Sequence, residues 1–202
     1  IVGFRQKEEE EMKTLILASA SPRRREILKQ VGIDFTVIPS TKEEVITKQE
    51  PKDAVMELAL QKAEDVAGRA DGDCMVIGAD TVVAMEGSIL GKPVDKDDAA
   101  RMLRMLSGSR HQVYTGVACI CGEKKHVFYE ETSVFFYPVS EDEIRCYIET
   151  GEPMDKAGAY GIQGRAARFI RGIEGDYYNV VGFPVARFLQ VLKKWDEQSS
   201  RI

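Results

Sequence analysis

Residues 14–25 read Thr-Leu-Ile-Leu-Ala-Ser-Ala-Ser-Pro-Arg-Arg-Arg. The run Thr14–Ala18 is short and apolar, as a buried strand requires. Ser21 followed by Pro22 reads as a helix start, with serine at the N-cap and proline at the first helical position, where a missing N–H does no harm. Ile27, Leu28 and Val31 then recur at helical spacing, and Gly32 closes the helix. A buried strand running straight into a helix is a parallel-type unit, so the fold contains parallel strands with helices against them.

Working outward, Phe35–Ile38 forms a second short strand ended by Pro39. Residues 51–70 predict a long amphipathic helix with Val55, Leu58, Ala59, Ala63 and Val66 on one stripe, and with the polar Lys62 among them. Cys74–Ala79 is a continuous apolar strand that stays extended through Thr81–Met85, and Glu86-Gly87 predicts a hairpin turn. Asp95–Leu106 is helical. Residues 111–121 and 126–137 read as a long antiparallel hairpin. Ser140-Glu-Asp-Glu143 is a capping-box pattern opening a helix to Thr150. A glycine-rich segment runs from Gly151 to Gly164, and Pro184–Trp195 is a final helix. Parallel units beside a long hairpin predict an α/β protein with α+β character. Its expected form is a single elongated mixed β-sheet flanked by helices. No repeat, low-complexity linker or composition shift divides the chain. Residues 1–12 read as an acidic extension, 13–195 as one domain and 196–202 as a polar tail.

The chain has 202 residues, 44% of them hydrophobic and 30% charged, which argues against a disordered or fibrous protein. Its net charge of −5 disfavours a nucleic-acid polymer as partner. The four glutamates Glu8–Glu11 account for all but one of those excess charges. There is no apolar run long enough for a transmembrane helix and no basic-then-apolar leader, so neither a membrane nor a secretory route is expected. Of the four cysteines, Cys119 and Cys121 share one strand face. The two histidines, His111 and His126, are not placed to complete a zinc site with them. Four reduced, mostly buried thiols are expected, and with them a cytoplasmic location.

Four segments have chemistry to offer. Ser19-Ala-Ser21-Pro22-Arg23-Arg24 places two hydroxyls and guanidinium forks at a helix N-terminus, which suits a phosphate. Capping by serine beside solvated arginines is the plain alternative. Asp80, in Gly78-Ala-Asp-Thr81 past an apolar strand, stands where α/β sheets collect ligands, and its carboxylate suits a divalent cation or a water to be deprotonated. An aspartate ending a strand is the plain alternative there. Gly87–Pro93 fails the P-loop pattern: the glycine spacing is one residue short and Pro93 stands where Ser or Thr belongs, which leaves Lys92 as a lone cation. In Asp155–Gly164, three glycines permit close approach of a ligand, and the Gln163 amide matches the paired donor and acceptor of a uracil or thymine edge. A glycine-rich loop without a ligand is the reading favoured by that segment alone.

Taken together these segments resemble the Maf family, the septum formation inhibitor proteins. The resemblance adds Leu106-Ser-Gly108 with His111, Tyr114-Thr-Gly116, Gly151-Glu-Pro153 and Asn179-Val-Val-Gly-Phe-Pro184, and runs from Lys13 to Trp195. It implies two lobes with a central cleft. It also implies metal-assisted hydrolysis of a nucleoside triphosphate to the monophosphate and pyrophosphate, with Mg²⁺ or Mn²⁺. Asp80 matches the catalytic acid. Ser19, Ser21, Arg23, Arg24, Glu44, Lys62 and Lys92 match the phosphate and metal site, with Glu44 and Asp80 toward the metal. The Gly-Ala-Tyr-Gly-Ile-Gln form of the later loop resembles the branch acting on dTTP and UTP, in which Arg23, Thr81 and Gln163 take specificity positions. The partner implied is a small-molecule nucleoside triphosphate, and the assembly a homodimer, with the hairpin edges at 111–137 as a candidate surface. Two rival readings are a non-enzymatic, nucleotide-binding regulator of cell division and an RNA-binding module built on Arg23–Arg25. The acidic and basic set argues against the first. Net acidity and the lack of an aromatic stacking motif argue against the second.

Overall fold

A computed structural model describes residues 14–199, with side chains through Trp195. The acidic extension at 1–12 lies outside the described residues. Strand β1 (Thr14–Leu17) runs into helix α1 (Pro22–Gln30) as the opening segment predicts. β1 pairs in parallel with β2 (Thr36–Val37) on one side and with β3 (Cys74–Met85) on the other. Everything beyond β3 is antiparallel: β4 (Ser88–Leu90), β5 (Arg110–Cys121), β6 (Lys124–Phe136) and β7 (Ile170–Glu174). Among the described residues these make one seven-stranded mixed sheet in the order β2-β1-β3-β5-β6-β7, with β4 branching from β3. The turn between β3 and β4 carries positive φ at Glu86 (50°) and Gly87 (78°), as a tight primed hairpin turn requires.

The long strands β3, β5 and β6 serve two lobes. In the first, both sheet faces are covered. Leu17, Met75, Ile77, Ala79, Val117 and Cys119 pack with α1 and with helix α6 (Val185–Ser199). Ile16, Val76, Ala118 and Ile120 pack with helix α2 (Pro51–Ala67) on the other face. In the second lobe, Val83, Val113, Val134 and Phe136 form a core with helices α3 (Lys96–Leu106) and α4 (Glu141–Glu149). The α4 start makes both bonds of its capping box, between Ser140 and Glu143.

The period-two alternation of β3 decides which of its side chains meets which helix. Odd positions 75, 77 and 79 face α1 and α6, while even positions 76, 78 and 80 face α2. Gly78 lets α2 touch the sheet backbone. A Cβ there would lie 2.1 Å from the Ala59 carbonyl oxygen, and one at Gly116 on β5 would lie 2.2 Å from that of Val55.

Some expectations change. Residues 165–183 hold β7 and a short helix α5 (Tyr177–Val181) that the sequence pattern did not reveal. The final helix continues past Trp195 to Ser199. The hairpin of β5 and β6 offers less free edge than expected. β5 is paired on both sides, and β7 covers β6 from Ser133 to Phe136. No disulfide joins the four cysteines, yet only Cys119 and Cys121 are buried, and Cys146 is exposed. Burial pushes the Cys119 thiol up to about 12, so it stays protonated.

Candidate active site

The first wall of the site is the start of α1. Ser21 occupies the N-cap, but its side chain makes no capping bond; instead its backbone N–H reaches Ser19 Oγ at 3.3 Å. The first-turn N–H groups are therefore not consumed by serine, and no acidic residue sits among them. Three arginines stand at the positive end of the helix dipole, an unfavourable placement unless an anion joins them. Arg24 is buried and locked in place. Its Nε donates to Gly182 O at 2.9 Å, Nη1 to Ser19 Oγ at 2.9 Å and Nη2 to Thr81 Oγ1 at 3.1 Å. Burial pulls its pKa below the ordinary value, with Arg23 adding to that and Asp80 and Glu44 opposing it. A guanidinium has five N–H groups, so two remain for a ligand.

The second wall is α2 with the segment that precedes it. The parity of β3 sends Asp80 toward α2, and the close contact at Gly78 brings Lys62 to it. Lys62 Nζ donates to Asp80 Oδ1 and lies 3.0 Å from Glu44 Oε1. Both Lys62 and Asp80 side chains are 14% exposed, whereas Glu44 is 51% exposed. Glu44 belongs to a stretch without regular structure that is strapped along α2. Asp65 accepts from the Ser40 hydroxyl and the Thr41 N–H, both at 2.9 Å. Gln61 exchanges two bonds with the Val45 backbone, at 3.1 and 2.7 Å. Glu57 accepts from the Thr47 N–H at 2.8 Å and from its hydroxyl. These three anchors are four residues apart, which aligns them on one helix face. The Thr41 N–H, with Ser40 and Arg69, outweighs desolvation and pushes Asp65 down to about 2.

The third wall is the glycine-rich segment after α4. Glu152 staples it, accepting from the Tyr147 hydroxyl at 2.9 Å and the Arg165 N–H at 3.0 Å. Lys156 donates to the Glu152 carbonyl at 2.8 Å and to Asp155 at 2.7 Å. Burial works to raise the Asp155 pKa, but Lys156 and Arg23 outweigh it and hold the carboxyl below its ordinary value. Arg23 thus acts electrostatically on the opposite wall. Tyr160 is fixed from behind by buried His111, 2.8 Å from Nε2 to the phenol oxygen. Burial lowers the His111 pKa to about 4, so the ring is neutral.

These walls enclose a cleft of about 880 Å³, and all ten residues proposed from sequence line it: Ser19, Ser21, Arg23, Arg24, Glu44, Lys62, Asp80, Thr81, Lys92 and Gln163. Lys92 and Gln163 are exposed at its rim and make no side-chain bond among the described residues, which leaves their donors to a ligand. The family model for Maf-like proteins matches residues 14–195. The chain belongs to the Maf family. A protein of Agathobacter rectalis named dTTP/UTP pyrophosphatase is 54% identical over 200 residues, covering 91% of this chain and 98% of its own. A protein of the same name from Symbiobacterium thermophilum is 54% identical over 185 residues, covering 91% and 95%. One from Bacillus cereus is 52% identical over 186 residues, covering 92% and 97%. Among solved structures, the Staphylococcus aureus Ham1 protein aligns with 61% of this chain and 72% of its own, at 18% identity and a TM-score of 0.45.

Sequence reasoning passed over several residues of this Maf-family cleft. Lys156, Asp155 and Tyr160 line it. All three stood in the Asp155–Gly164 segment without a role, because a loop has no period from which to read direction. The alternation of β3 would have shown that Asp80 and Thr81 face opposite sides of the sheet. Among the described residues no three His, Cys, Asp or Glu side chains converge as a ready metal site. Two carboxylates facing one position are nevertheless the donor set that Mg²⁺ or Mn²⁺ accepts when phosphate and water supply the rest.

Proposed function

We propose that this chain is a pyrophosphatase that hydrolyses dTTP and UTP to the monophosphate and pyrophosphate. The observation that carries the reading is the placement of Lys62 between Glu44 and Asp80 in the cleft that also holds the Arg23–Arg24 helix start. A triphosphate needs clustered cations, and its hydrolysis needs a base beside them; both are here within one wall-to-wall span. The names of the Maf-family relatives point to the same substrates.

In this mechanism the α1 N-terminus and the Arg24 fork bind phosphate oxygens, and Arg23, Lys62 and Lys92 add positive charge. Asp80 takes a proton from the water that attacks the α-phosphorus. The bond from that phosphorus to the bridging oxygen breaks, and pyrophosphate leaves with the electron pair. Charge gathering on pyrophosphate is met by cations already in position, the usual main term in such chemistry. Glu44 and Asp80 would hold Mg²⁺ or Mn²⁺, which supplies further neutralisation of phosphate charge when bound. Gln163 presents its amide to the base edge.

The test is incubation with dTTP and with UTP in the presence of Mn²⁺. Equal amounts of monophosphate and pyrophosphate are expected. Release of orthophosphate instead, or nucleotide binding without turnover, would return the reading to a phosphatase or to a non-enzymatic regulator of division. The cytoplasm, which holds the nucleotide pool, is the compartment this activity calls for, and no helix among the described residues is long and apolar enough to cross a membrane. A homodimer is retained as the proposed assembly. The outer edge of β6 that β7 leaves unpaired, residues 124–132, is its candidate surface, and light scattering decides it.

A further inference from the structure

Four carboxylates line the described cleft: Glu44, Asp80, Glu152 and Asp155. Three of them are already engaged. Glu44 and Asp80 face Lys62. Glu152 is turned into its own loop, one oxygen taking the Tyr147 hydroxyl and the other the Arg165 N–H. Asp155 differs. It ends the 3₁₀ turn Glu152–Asp155, and its side chain is 72% exposed. Among the other described residues, Lys156 alone bonds to it, at 2.7 Å from Nζ to Oδ1. An ionised carboxylate has about four acceptor sites, so most of that capacity stays open to the cleft. Lys156 is itself held still. Its side chain is 14% exposed, and Nζ also donates to the Glu152 carbonyl at 2.8 Å. Its stem lies under Gly161, where a Cβ would come within 2.8 Å of Lys156 Cε. The Asp155 carboxylate is therefore presented to the cleft in a set orientation.

Such a group offers only acceptors, so its partner is a donor. Phosphate oxygens carry negative charge and are repelled by it. Its place in the cleft says which part of a nucleotide lies near. Asp155 belongs to the segment that carries Gln163, the residue given to the base, and Arg23 of the phosphate wall acts on it electrostatically. What joins a base to its phosphates is the sugar. dTTP and UTP share two donors, the imide N–H of the base and the 3′-hydroxyl of the sugar. Gln163 has the imide edge, which leaves the 3′-hydroxyl. The 2′-hydroxyl is present in UTP alone. We propose that the Asp155 carboxylate, oriented by Lys156, accepts a hydrogen bond from the 3′-hydroxyl of the nucleotide, and that the 2′ position goes unread. One carboxylate then serves the ribo and the deoxyribo substrate alike. This inference rests on the pyrophosphatase reading.

The test compares kcat/KM for dTTP with 2′,3′-dideoxythymidine triphosphate, and for UTP with 3′-deoxyuridine triphosphate, in the native chain and in Asp155→Ala. Loss of the 3′-hydroxyl is expected to lower native kcat/KM at least about fivefold in both series, as for a hydrogen bond to a charged group that stays partly in water. In Asp155→Ala both ratios should fall to within about twofold of unity, while the UTP:dUTP ratio stays native. Native ratios already within about twofold of unity overturn the proposal without any variant. Native-sized 3′ ratios in folded Asp155→Ala overturn it too; a carboxylate that served a metal-bound water would lower each pair alike and leave them there. A UTP:dUTP ratio that moves as far as the 3′ ratios assigns the carboxylate to the other hydroxyl and also overturns it. Should alanine not fold, by circular dichroism, the isosteric Asp155→Asn takes its place. Its carbonyl stays on Lys156 and its amide nitrogen faces the sugar, so the 3′ ratios should again fall, and native ratios there overturn the proposal. A native chain that turns over neither dTTP nor UTP defeats the pyrophosphatase reading itself, whereas one that turns over both and ignores the 3′-hydroxyl defeats only this inference.

Discussion

The two carboxylates that meet Lys62 are held by unlike means. Asp80 sits on a twelve-residue strand in the interior of the sheet, and its position is set by strand parity and by a helix pressed on Gly78. Glu44 sits on an exposed strap, and its position is set by side-chain bonds along the surface of α2. Close packing leaves little freedom, because moving one atom forces its neighbours to move. Surface hydrogen bonds exchange with water at small net cost, so the strap belongs to the low-stability end of the molecule. Within this one wall the strand side is thus a fixed reference, and the strap can adjust to what binds. The largest expected effect tests the fixed strand side directly. Asp80→Asn should lower kcat on dTTP about 10²–10⁴-fold with the thermal melt unchanged. Glu44→Gln should lower it by less. Equal losses would erase the distinction between strand and strap.

The second expectation concerns what fixes the reference. Gly78→Ala puts a methyl 2.1 Å from a helix carbonyl and 2.8 Å from the Ala63 backbone nitrogen, where no side chain can yield. Overpacking of this kind costs about 1–3 kcal/mol, and more where backbone must move. Urea denaturation should register that loss, and activity should fall further than stability because Lys62 is drawn off Asp80. Gly172, which has open space and an ordinary φ, supplies the control, since its alanine variant should melt within about 0.5 kcal/mol of native. A Gly78→Ala variant as stable as that control would show that α2 is not pinned by this contact.

Acid should separate buried support from the strap in a third way, this time at the wall that holds Tyr160. His111, behind Tyr160, has a folded-state pKa lowered by burial from 6.5 to about 4. The unfolded chain therefore binds a proton more readily, and stability falls as pH drops from about 6.5 toward 4. A shift of that size corresponds to about 3 kcal/mol as an upper figure. His111→Gln keeps a partner for the Tyr160 hydroxyl and removes the titration, so its stability should be flat over that window. Asp65, the α2 carboxylate that holds the strap at Ser40 and Thr41, is also shifted down, to about 2, by the hydrogen bonds it accepts. Its contribution is complete above the unfolded value near 3.9 and is lost only as pH falls toward about 2. The buried support behind Tyr160 should therefore weaken before the Asp65 anchor of the strap on acidification. Unfolding measured at pH 7, 5 and 3 distinguishes the order.

The same division explains what the sequence made legible. Elements with a period were readable: β1 into α1, the apolar stripe of α2, the capping box of α4 and the long hairpin. Their periods also carried Asp80, and the placement of Lys62 on an apolar stripe was already odd enough to notice. Elements whose shape is set by distant contacts were not readable. β7 exists because β6 offers an edge from Ser133 to Phe136, and its own five residues include a glycine and alternate too briefly to register. Helix α5 is five residues long and is held by Asn179 and Asp176 bonds to the sheet and to its own first turn. The ten site residues come together in one cleft although they span residues 19 to 163. Local chemistry suggested the phosphate role of Ser21–Arg24. Glu44, lying in a segment with no period, was reachable only through resemblance, and the reason it converges with the others is the ladder of Glu57, Gln61 and Asp65.

The smallest expected effect falls on that ladder, and it is the most informative about the strap. Gln61 donates and accepts at the backbone of Val45, the residue after Glu44. Gln61→Ala removes both bonds, yet water replaces them at this exposed position, so stability should change by no more than about 1 kcal/mol. Glu44 would then lose its register against Lys62 while Asp80 keeps its own. The expected signature is a raised KM for dTTP and a raised Mn²⁺ requirement at nearly native kcat. A double-mutant cycle isolates the cause. If Gln61 acts only through Glu44, then adding Gln61→Ala to Glu44→Gln should change KM no further, leaving a coupling of at least about 0.5 kcal/mol between them. Strictly additive effects would mean that the strap holds itself in place and that Glu44 does not depend on its middle rung.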